Sequence, residues 1–210
     1  EWIGKSEGIN ITYNIENLDK TISVFTTRPD TNFGATFLTI APDSNFLKEN
    51  LEIFPEKEKV EKYVKESLLK SDIDRTAEGR KKTGVFTGLY AINNLNNKKM
   101  HIYVSDFVLG HFGTGCVVGV PGHDKRDFEF AKEMGIEVIR VVVGKDNDTS
   151  NITKIEQVQE EEGVMINSGF LNGKDIHEAT KLIMDYIEEK GYGKRVVNYK
   201  LRDWVFSRQH

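Results

Sequence analysis

The sequence contains a single cysteine, Cys116, so no internal disulfide can form and a reducing compartment, by default the cytoplasm, is the expected setting. No apolar run approaches the roughly 18 residues a membrane helix needs. The first residues, Glu1-Trp2-Ile3-Gly4-Lys5-Ser6, lack the charged and then apolar layout of a secretion signal. No contact with a membrane is therefore expected. Basic residues are not in excess: 29 Lys and Arg against 33 Asp and Glu leave a net charge of -4. Broad binding of a phosphate backbone, which relies on many lysines and arginines at once, is thereby disfavoured, and any nucleic-acid contact should be small. The P-loop pattern G-x-x-x-x-G-K-[ST] and the nucleophile elbow G-x-S-x-G are also missing, which removes sequence support for a nucleotide triphosphatase or a serine hydrolase.

What is there is ordinary for a globular chain: 210 residues, 38% hydrophobic and 30% charged, enough for one domain with a sizeable core. The chain starts without Met and stops soon after Trp204-Val205-Phe206, which suggests a piece of something larger. Alternating apolar and β-branched residues predict a hairpin from Ile9–Tyr13 and Thr21–Phe25 around Asn17-Leu18-Asp19-Lys20. Thr36–Ile40 reads as a third strand, followed by Asp43 or Ser44 as the cap of a short helix. Residues 55 to 69 carry Val60, Tyr63, Val64 and Leu68 at helical spacing. Val85–Ile92 and Met100–Val104 make a second strand pair, and Cys116–Val120 a short buried strand. Asp124 should cap a helix over Lys125–Met134 that Gly135 stops. A strand over Ile136–Val143, a polar and mobile connection over 144 to 162, and an amphipathic helix over Lys174–Lys190 complete the reading. Strands outnumber helices without regular alternation, so the expected class is α+β and β-rich: a mixed, barrel-like sheet with peripheral helices.

Two clusters offer chemistry. In the first, Thr26-Thr27-Arg28-Pro29-Asp30-Thr31, short hydroxyls and a carboxylate can touch a polar ligand while the threonine methyls form a steric wall, a combination suited to size selection near an ester. The second runs from Gly113-Thr114-Gly115 to Pro121-Gly122-His123-Asp124-Lys125-Arg126-Asp127. Its glycines miss the dinucleotide fingerprint and lead into a strand, so they read as turn formers. His111, Cys116 and His123 match no zinc spacing, and no metal is expected. His101, His177 and His210 read as surface residues. Asp124 and Asp127 sit where helix capping alone would select carboxylates. With Arg126 beside it, Asp127 is expected to stay ionised, making it a poor general base and a good partner for an α-ammonium group. Arg28 and Arg126 suit structural ion pairs as well as site roles.

Thr26-Thr27-Arg28-Pro29-Asp30-Thr31-Asn32-Phe33-Gly34-Ala35-Thr36, together with Gly113-Thr114-Gly115 and Val120-Pro121-Gly122-His123-Asp124-Lys125-Arg126-Asp127-Phe128-Glu129-Phe130-Ala131, resembles the editing domain inserted in leucyl-tRNA synthetases of the bacterial type. The related isoleucyl and valyl enzymes carry different residues in both clusters. The resemblance covers nearly the whole chain, with residues 1 to 8 (Trp2-Ile3-Gly4-Lys5-Ser6-Glu7-Gly8) and 200 to 210 (Leu201-Arg202-Asp203-Trp204, Ser207-Arg208-Gln209) similar to the strands that join the insert to a synthetic domain. It implies a single editing domain over 1 to 210, monomeric in isolation. The implied activity is hydrolysis of the ester linking norvaline, isoleucine or methionine to leucine tRNA. It implies Thr31 as the gate against leucine, Asp127 on the α-ammonium group, and Thr26 and Thr27 beside the water and ester. Val118 and Val120 would shape the side-chain pocket and Leu109 and Phe112 would meet the terminal adenosine of the tRNA. Asp124, Arg28, Arg126 and Asp30 complete the implied substrate-binding set, the last three by holding the loop and its charges in register. No cofactor is implied, and a boron heterocycle joined to the ribose diol of adenosine is the expected kind of inhibitor. Val118, Phe112 and His111 stand where the family commonly has methionine, tyrosine and aspartate. The alternative is a non-catalytic module that guides the tRNA 3′ end or supports the rest of the synthetase chain.

Overall fold

The computed structural model describes residues 3 to 201, and the side chains of 7 to 196. Trp2, Trp204 and the run Ser207-Arg208-Gln209, with His210, lie outside the described residues. The first hairpin forms where the alternation demands it. Strand β1 (Ile3–Ile15) and β2 (Thr21–Thr26) pair antiparallel with Ile11 opposite Val24 and Tyr13 opposite Ile22, and all four side chains are buried. Asn17 takes a left-handed φ of 65° in the turn, a conformation asparagine tolerates better than most residues. The long β1 also pairs along residues 3 to 11 with β9 (Gly193–Leu201), so the two segments that the resemblance assigned to linkers begin as one antiparallel ladder.

The sheet continues through β4 (Val85–Ile92), β5 (Lys99–Val104), β3 (Phe37–Ile40) and β6 (Cys116–Gly119), with β3 parallel to β5 and antiparallel to β6. This is the mixed sheet expected. It curls in the manner of a barrel, and β2 and β6 share no ladder among the described residues. The gap is bridged by side chains, with the Thr114 hydroxyl donating to the Ser23 carbonyl at 2.8 Å and Phe25 edge-on to Phe112 at 6.3 Å.

Helices cover the sheet. Helix α1 (Asn45–Asn50) starts at Ser44, whose hydroxyl accepts the Leu47 N–H, and α2 (Lys57–Ser67) and α3 (Asp72–Arg75) follow. Helix α4 (Lys125–Met134) begins at Asp124 and ends at Gly135 in the left-handed conformation, as its sequence predicts. It lays Phe130 on Phe37, Tyr103 and Phe107 at centroid distances of 5.1, 5.2 and 5.5 Å. Burying each such ring stabilises by roughly 1.5–3 kcal/mol. Gly119 is required beneath them, because a Cβ there would lie 2.2 Å from the Phe37 ring. Helix α5 (Ile176–Glu189) packs Ile183 and Ile187 onto the larger core beside Ile9 and Ile11. No helix among the described residues is long and apolar enough to cross a membrane.

Two segments depart from the sequence reading. The strand expected over Ile136–Val143 shrinks to β7 (Val142–Val143), paired with β8 (Val164–Met165), because the His123 ring takes the Val141 N–H that a longer ladder would use. The connection expected to be mobile over 144 to 162 has structure of its own: a 3-10 turn at Ile155–Gln157, with Ile152 and Val158 buried against Phe128. Apolar residues spaced widely in a polar stretch carry no periodic signal, which is why the packing was hidden.

Candidate active site

The first cluster folds into a 3-10 turn, Pro29–Gly34, where Pro29 supplies a fixed φ at the start and no unsatisfied N–H. The turn is cross-braced. The Arg28 N–H donates to Thr26 Oγ1 at 3.0 Å, and the Thr31 hydroxyl donates to the Arg28 carbonyl at 2.9 Å. The Arg28 guanidinium grips Asp30 through two bonds of 3.0 and 2.8 Å. Behind the turn, Tyr13 donates its hydroxyl to Asn32 and the Asn93 amide donates to the Asn32 carbonyl. Since β3 leaves this turn directly and pairs with β6, Phe37 opposite Gly119, the first cluster is brought against the second.

There the Asp124 carboxylate caps α4 by accepting the Asp127 N–H at 3.0 Å. Asp127 in turn accepts the Val120 N–H at 2.9 Å, which ties the helix start to the end of β6. Asp127 as a whole is only 9% exposed. Arg126 points to solvent and reaches Asp124 at 3.6 Å. The loop before β6 supplies a third wall with Val108, Leu109 and a half-exposed Phe112. These walls enclose a cavity of about 320 Å³ lined by Thr26, Thr27, Arg28, Thr31, Leu109, Phe112, Val118, Val120, Asp124, Arg126 and Asp127. That size lies within the range of small-molecule sites. The residues singled out in two clusters roughly a hundred positions apart thus share one space.

The sequence model of the family described as leucyl-tRNA synthetase, editing domain, matches residues 1–188. This chain belongs to that family. It is 47% identical over 208 residues to a leucine–tRNA ligase of Thermosipho melanesiensis, a match that covers 99% of this chain and 25% of that protein. A crystal structure of the ternary complex of Agrobacterium radiobacter K84 agnB2 LeuRS with tRNA and LeuAMS superposes with a TM-score of 0.68 at 32% identity, covering 96% of this chain and 21% of that one. The chain therefore spans about a quarter or less of the length of these relatives.

Several expectations for the editing domain change at this level. Asp30, placed in the substrate-binding set, does not line the cavity; it is fully buried and bonded to the Arg28 guanidinium, in keeping with the loop-holding part of its implied role. The surroundings of Asp127 work against the ionised form expected for it: burial first and the Asp124 carboxylate second push its carboxyl well above the usual range, outweighing the Val120 N–H and Arg126. The expectation failed because proximity to a helix start was weighed without the loss of water that deep placement brings. Cys116 is buried, its thiol pushed up to about 12 by desolvation, so it is inert. His101 is half-buried in a ring cluster with Phe86, Tyr90 and Tyr103, whereas His177 is exposed and meets Glu162 at 2.6 Å.

The sequence reading passed over Phe25, Thr76 and Val108 as cavity residues, and it weighed His123, which also lines the cavity, only as a metal ligand. His123 is the hinge pin of its loop. Its Nδ1 meets the Gln159 carbonyl at 2.8 Å and its Nε2 accepts the Val141 N–H at 2.8 Å, so the ring is the neutral Nδ1–H tautomer. Burial lowers its pKa from 6.5 to about 4. The unfolded chain consequently binds a proton on this ring more readily than the folded one, and stability contributed above the unfolded pKa is lost as pH falls through the folded value. A difference of that size corresponds to about 3 kcal/mol. Urea unfolding between pH 7 and pH 4 is expected to show that loss in the unaltered domain and a visibly shallower one in His123→Gln; parallel pH dependences would mean the ring is not the acid-sensitive group.

Proposed function

We propose that this domain hydrolyses the ester between a wrong amino acid and leucine tRNA, with norvaline, isoleucine and methionine as the amino acids removed and leucine spared. The observation that supports the reading most is the shared cavity, whose lining brings together three threonines, the deeply set Asp127, and Leu109 with a half-exposed Phe112. In this scheme the terminal adenosine of the tRNA enters against Leu109 and Phe112, and the amino acid reaches inward between Val118 and Val120. The arriving α-ammonium group gives Asp127 the positive neighbour that favours its ionised form, so substrate and carboxylate stabilise each other only when the amine is in place. The Val120 N–H donates to Oδ2 of that carboxylate and holds it in register.

Hydrolysis adds water to the ester carbonyl, breaks the bond to the ribose oxygen, and returns a free amino acid and the tRNA hydroxyl. Thr26 Oγ1 already accepts the Arg28 N–H, which leaves its own O–H to donate toward water or ester. Thr27 lies beside it on the exposed rim. With no side chain poised as a general base, positioning carries the rate: threonine hydroxyls, backbone groups and a substrate ribose hydroxyl orient the water. The reading calls for no cofactor or metal, and a boron heterocycle closed on the ribose diol of adenosine would occupy the same space.

The need for such a site is physical. One methylene in an apolar pocket discriminates by only about 1–3 kcal/mol, so a synthetase cannot refuse close analogues of its amino acid by binding alone. We take residues 1 to 210 as one editing domain, with 1 to 8 and 200 to 210 leading to a synthetic domain, and the cytoplasm as its compartment. The deciding experiment compares deacylation of norvalyl-, isoleucyl-, methionyl- and leucyl-tRNA by the full-length enzyme. Cleavage of the first three with leucyl-tRNA spared is expected. An enzyme that cleaves none of them would instead be using this domain to guide the tRNA end.

A further inference from the structure

The Leu109–Phe112 wall is the least self-supporting part of the cavity. It has no strand or helix of its own, and Phe112 is 55% exposed. What fixes it comes from α3, a segment that neither cluster contains. Arg75, the last residue of α3, is 3% exposed. Its Nε donates to the Asp106 carbonyl at 2.8 Å, and one terminal nitrogen donates both to the Val108 carbonyl at 2.7 Å and to Asp43 Oδ1 at 3.0 Å. Asp43 Oδ1 also accepts the Gly110 N–H at 3.0 Å. One guanidinium and its carboxylate therefore hold the loop on both sides of Leu109.

The start of the loop is tied to the same anchor. The Asp106 carboxylate accepts from Arg80 at 2.9 and 2.8 Å and from Lys70 at 3.0 Å, which fixes the loop's start, and Arg80 also donates to the Arg75 carbonyl at 3.0 Å. Gly110 is required because a Cβ there would lie 2.6 Å from the Asp43 carbonyl oxygen, so the loop can approach Asp43 closely only without a side chain. Thr76, which follows Arg75, itself lines the cavity. By contrast, Thr26, Thr31 and Asp127 are braced by Arg28, Val120 and Asp124 and have no hydrogen bond to this network. The two halves have separate hydrogen-bond networks, and they meet through the Thr114 hydroxyl on the Ser23 carbonyl and the Phe25–Phe112 contact.

We infer that Arg75, acting with Asp43, is a positioning residue that sets the nucleoside half of the site by docking the 106–115 loop, while leaving the half that holds the amino acid to its own braces. This rests on the deacylase reading above, with Leu109 and Phe112 meeting the terminal adenosine. Its consequence is a separation of kinetic effects. Loosening the loop should weaken capture of the nucleoside without changing what happens to a substrate once the ester and ammonium group are seated.

The test uses the full-length enzyme and two substrates, norvalyl-tRNA and the norvalyl ester of adenosine, the second reading the nucleoside contact without the tRNA body. Arg75→Lys keeps the charge but not the fork of donors, and Asp43→Ala removes the partner at a less buried position should Arg75→Ala fail to fold. KM for the adenosine ester is expected to rise about tenfold or more in Arg75→Lys and Asp43→Ala, with kcat held within about threefold. An unchanged KM, or a fall in kcat with KM constant, would overturn the assignment, since a merely structural role lowers the amount of working enzyme and leaves KM alone. If the unaltered enzyme hydrolyses neither substrate, the deacylase reading itself is wrong, an outcome separate from variants that behave like an active parent.

Discussion

Asp127→Asn is expected to lower hydrolysis of norvalyl-tRNA by about 10²- to 10⁴-fold, because truncating one partner of a desolvated charge pair costs about 3–5 kcal/mol. Asparagine is the informative replacement. Its carbonyl can still accept the Val120 N–H that Asp127 holds at 2.9 Å, so the tie between β6 and α4 survives while the negative charge does not. Alanine would leave the Val120 donor buried and unpaired, adding a stability cost of about 1–3 kcal/mol to any effect on catalysis. The raised pKa of Asp127 adds a pH signature. Only the ionised carboxyl attracts an ammonium group, so kcat/KM should climb as pH rises through the Asp127 titration in the free enzyme. Asp124 is the charged neighbour that helps to raise it, and Asp124→Asn keeps an equally good cap on α4 while removing that charge. The rising limb should therefore move to lower pH in Asp124→Asn and disappear in Asp127→Asn. Initial rates of norvalyl-tRNA cleavage across pH 5 to 8, with the melting temperature as a control, decide it. An Asp127→Asn enzyme that cleaves at the parental rate would remove the ammonium anchor from the mechanism.

How much of this was legible beforehand depended on whether a feature is local. The first hairpin and the β4–β5 pair were readable because one buried face forces period-two alternation, and α4 because Asp124 and Gly135 mark its ends by chemistry that acts within a turn. The Thr26 to Thr31 cluster, most of which lines the cavity, was readable as a turn rich in hydrogen-bonding groups but not as a 3-10 turn, since the bonds that brace it run from Thr31 to the Arg28 carbonyl and from Arg28 to Thr26. Long-range facts were hidden. Nothing in Ile136–Val143 announces that a histidine from another loop will take the Val141 N–H, and a helix as short as Asp72–Arg75 is too brief to show a period. The same limit explains Asp30 and Arg75. Each is a charged residue in a polar stretch, and only the folded chain shows the first fully buried off the cavity wall and the second against the loop carbonyls. That the two clusters meet follows from the β3–β6 pairing, which no local pattern encodes; the resemblance to editing domains joined them instead.

Thr31→Ala is expected to make the full-length enzyme hydrolyse its own product, with leucyl-tRNA cleavage rising about 10- to 200-fold and norvalyl-tRNA cleavage little changed. The argument is steric. Thr31 is nearly fully buried, and its hydroxyl is committed to the Arg28 carbonyl at 2.9 Å, which locks the side chain in one rotamer at the cavity wall. A fixed wall can refuse leucine by a methyl group because close-packed protein does not yield without cost, and overpacking typically costs about 1–3 kcal/mol. Cutting back to alanine deletes both the hydroxyl and the methyl and turns that penalty into free space. Thr31→Val separates the two contributions. It keeps the branched shape and loses the bond to Arg28, so it should still spare leucyl-tRNA if bulk is the barrier and admit it if the locked rotamer is. Leucyl- and norvalyl-tRNA cleavage measured side by side in the parent, Thr31→Ala and Thr31→Val resolves the question. Thr31→Ala sparing leucyl-tRNA while still cleaving norvalyl-tRNA would move the gate elsewhere, with Val118 and Val120, which line the same cavity, as the next residues to cut back.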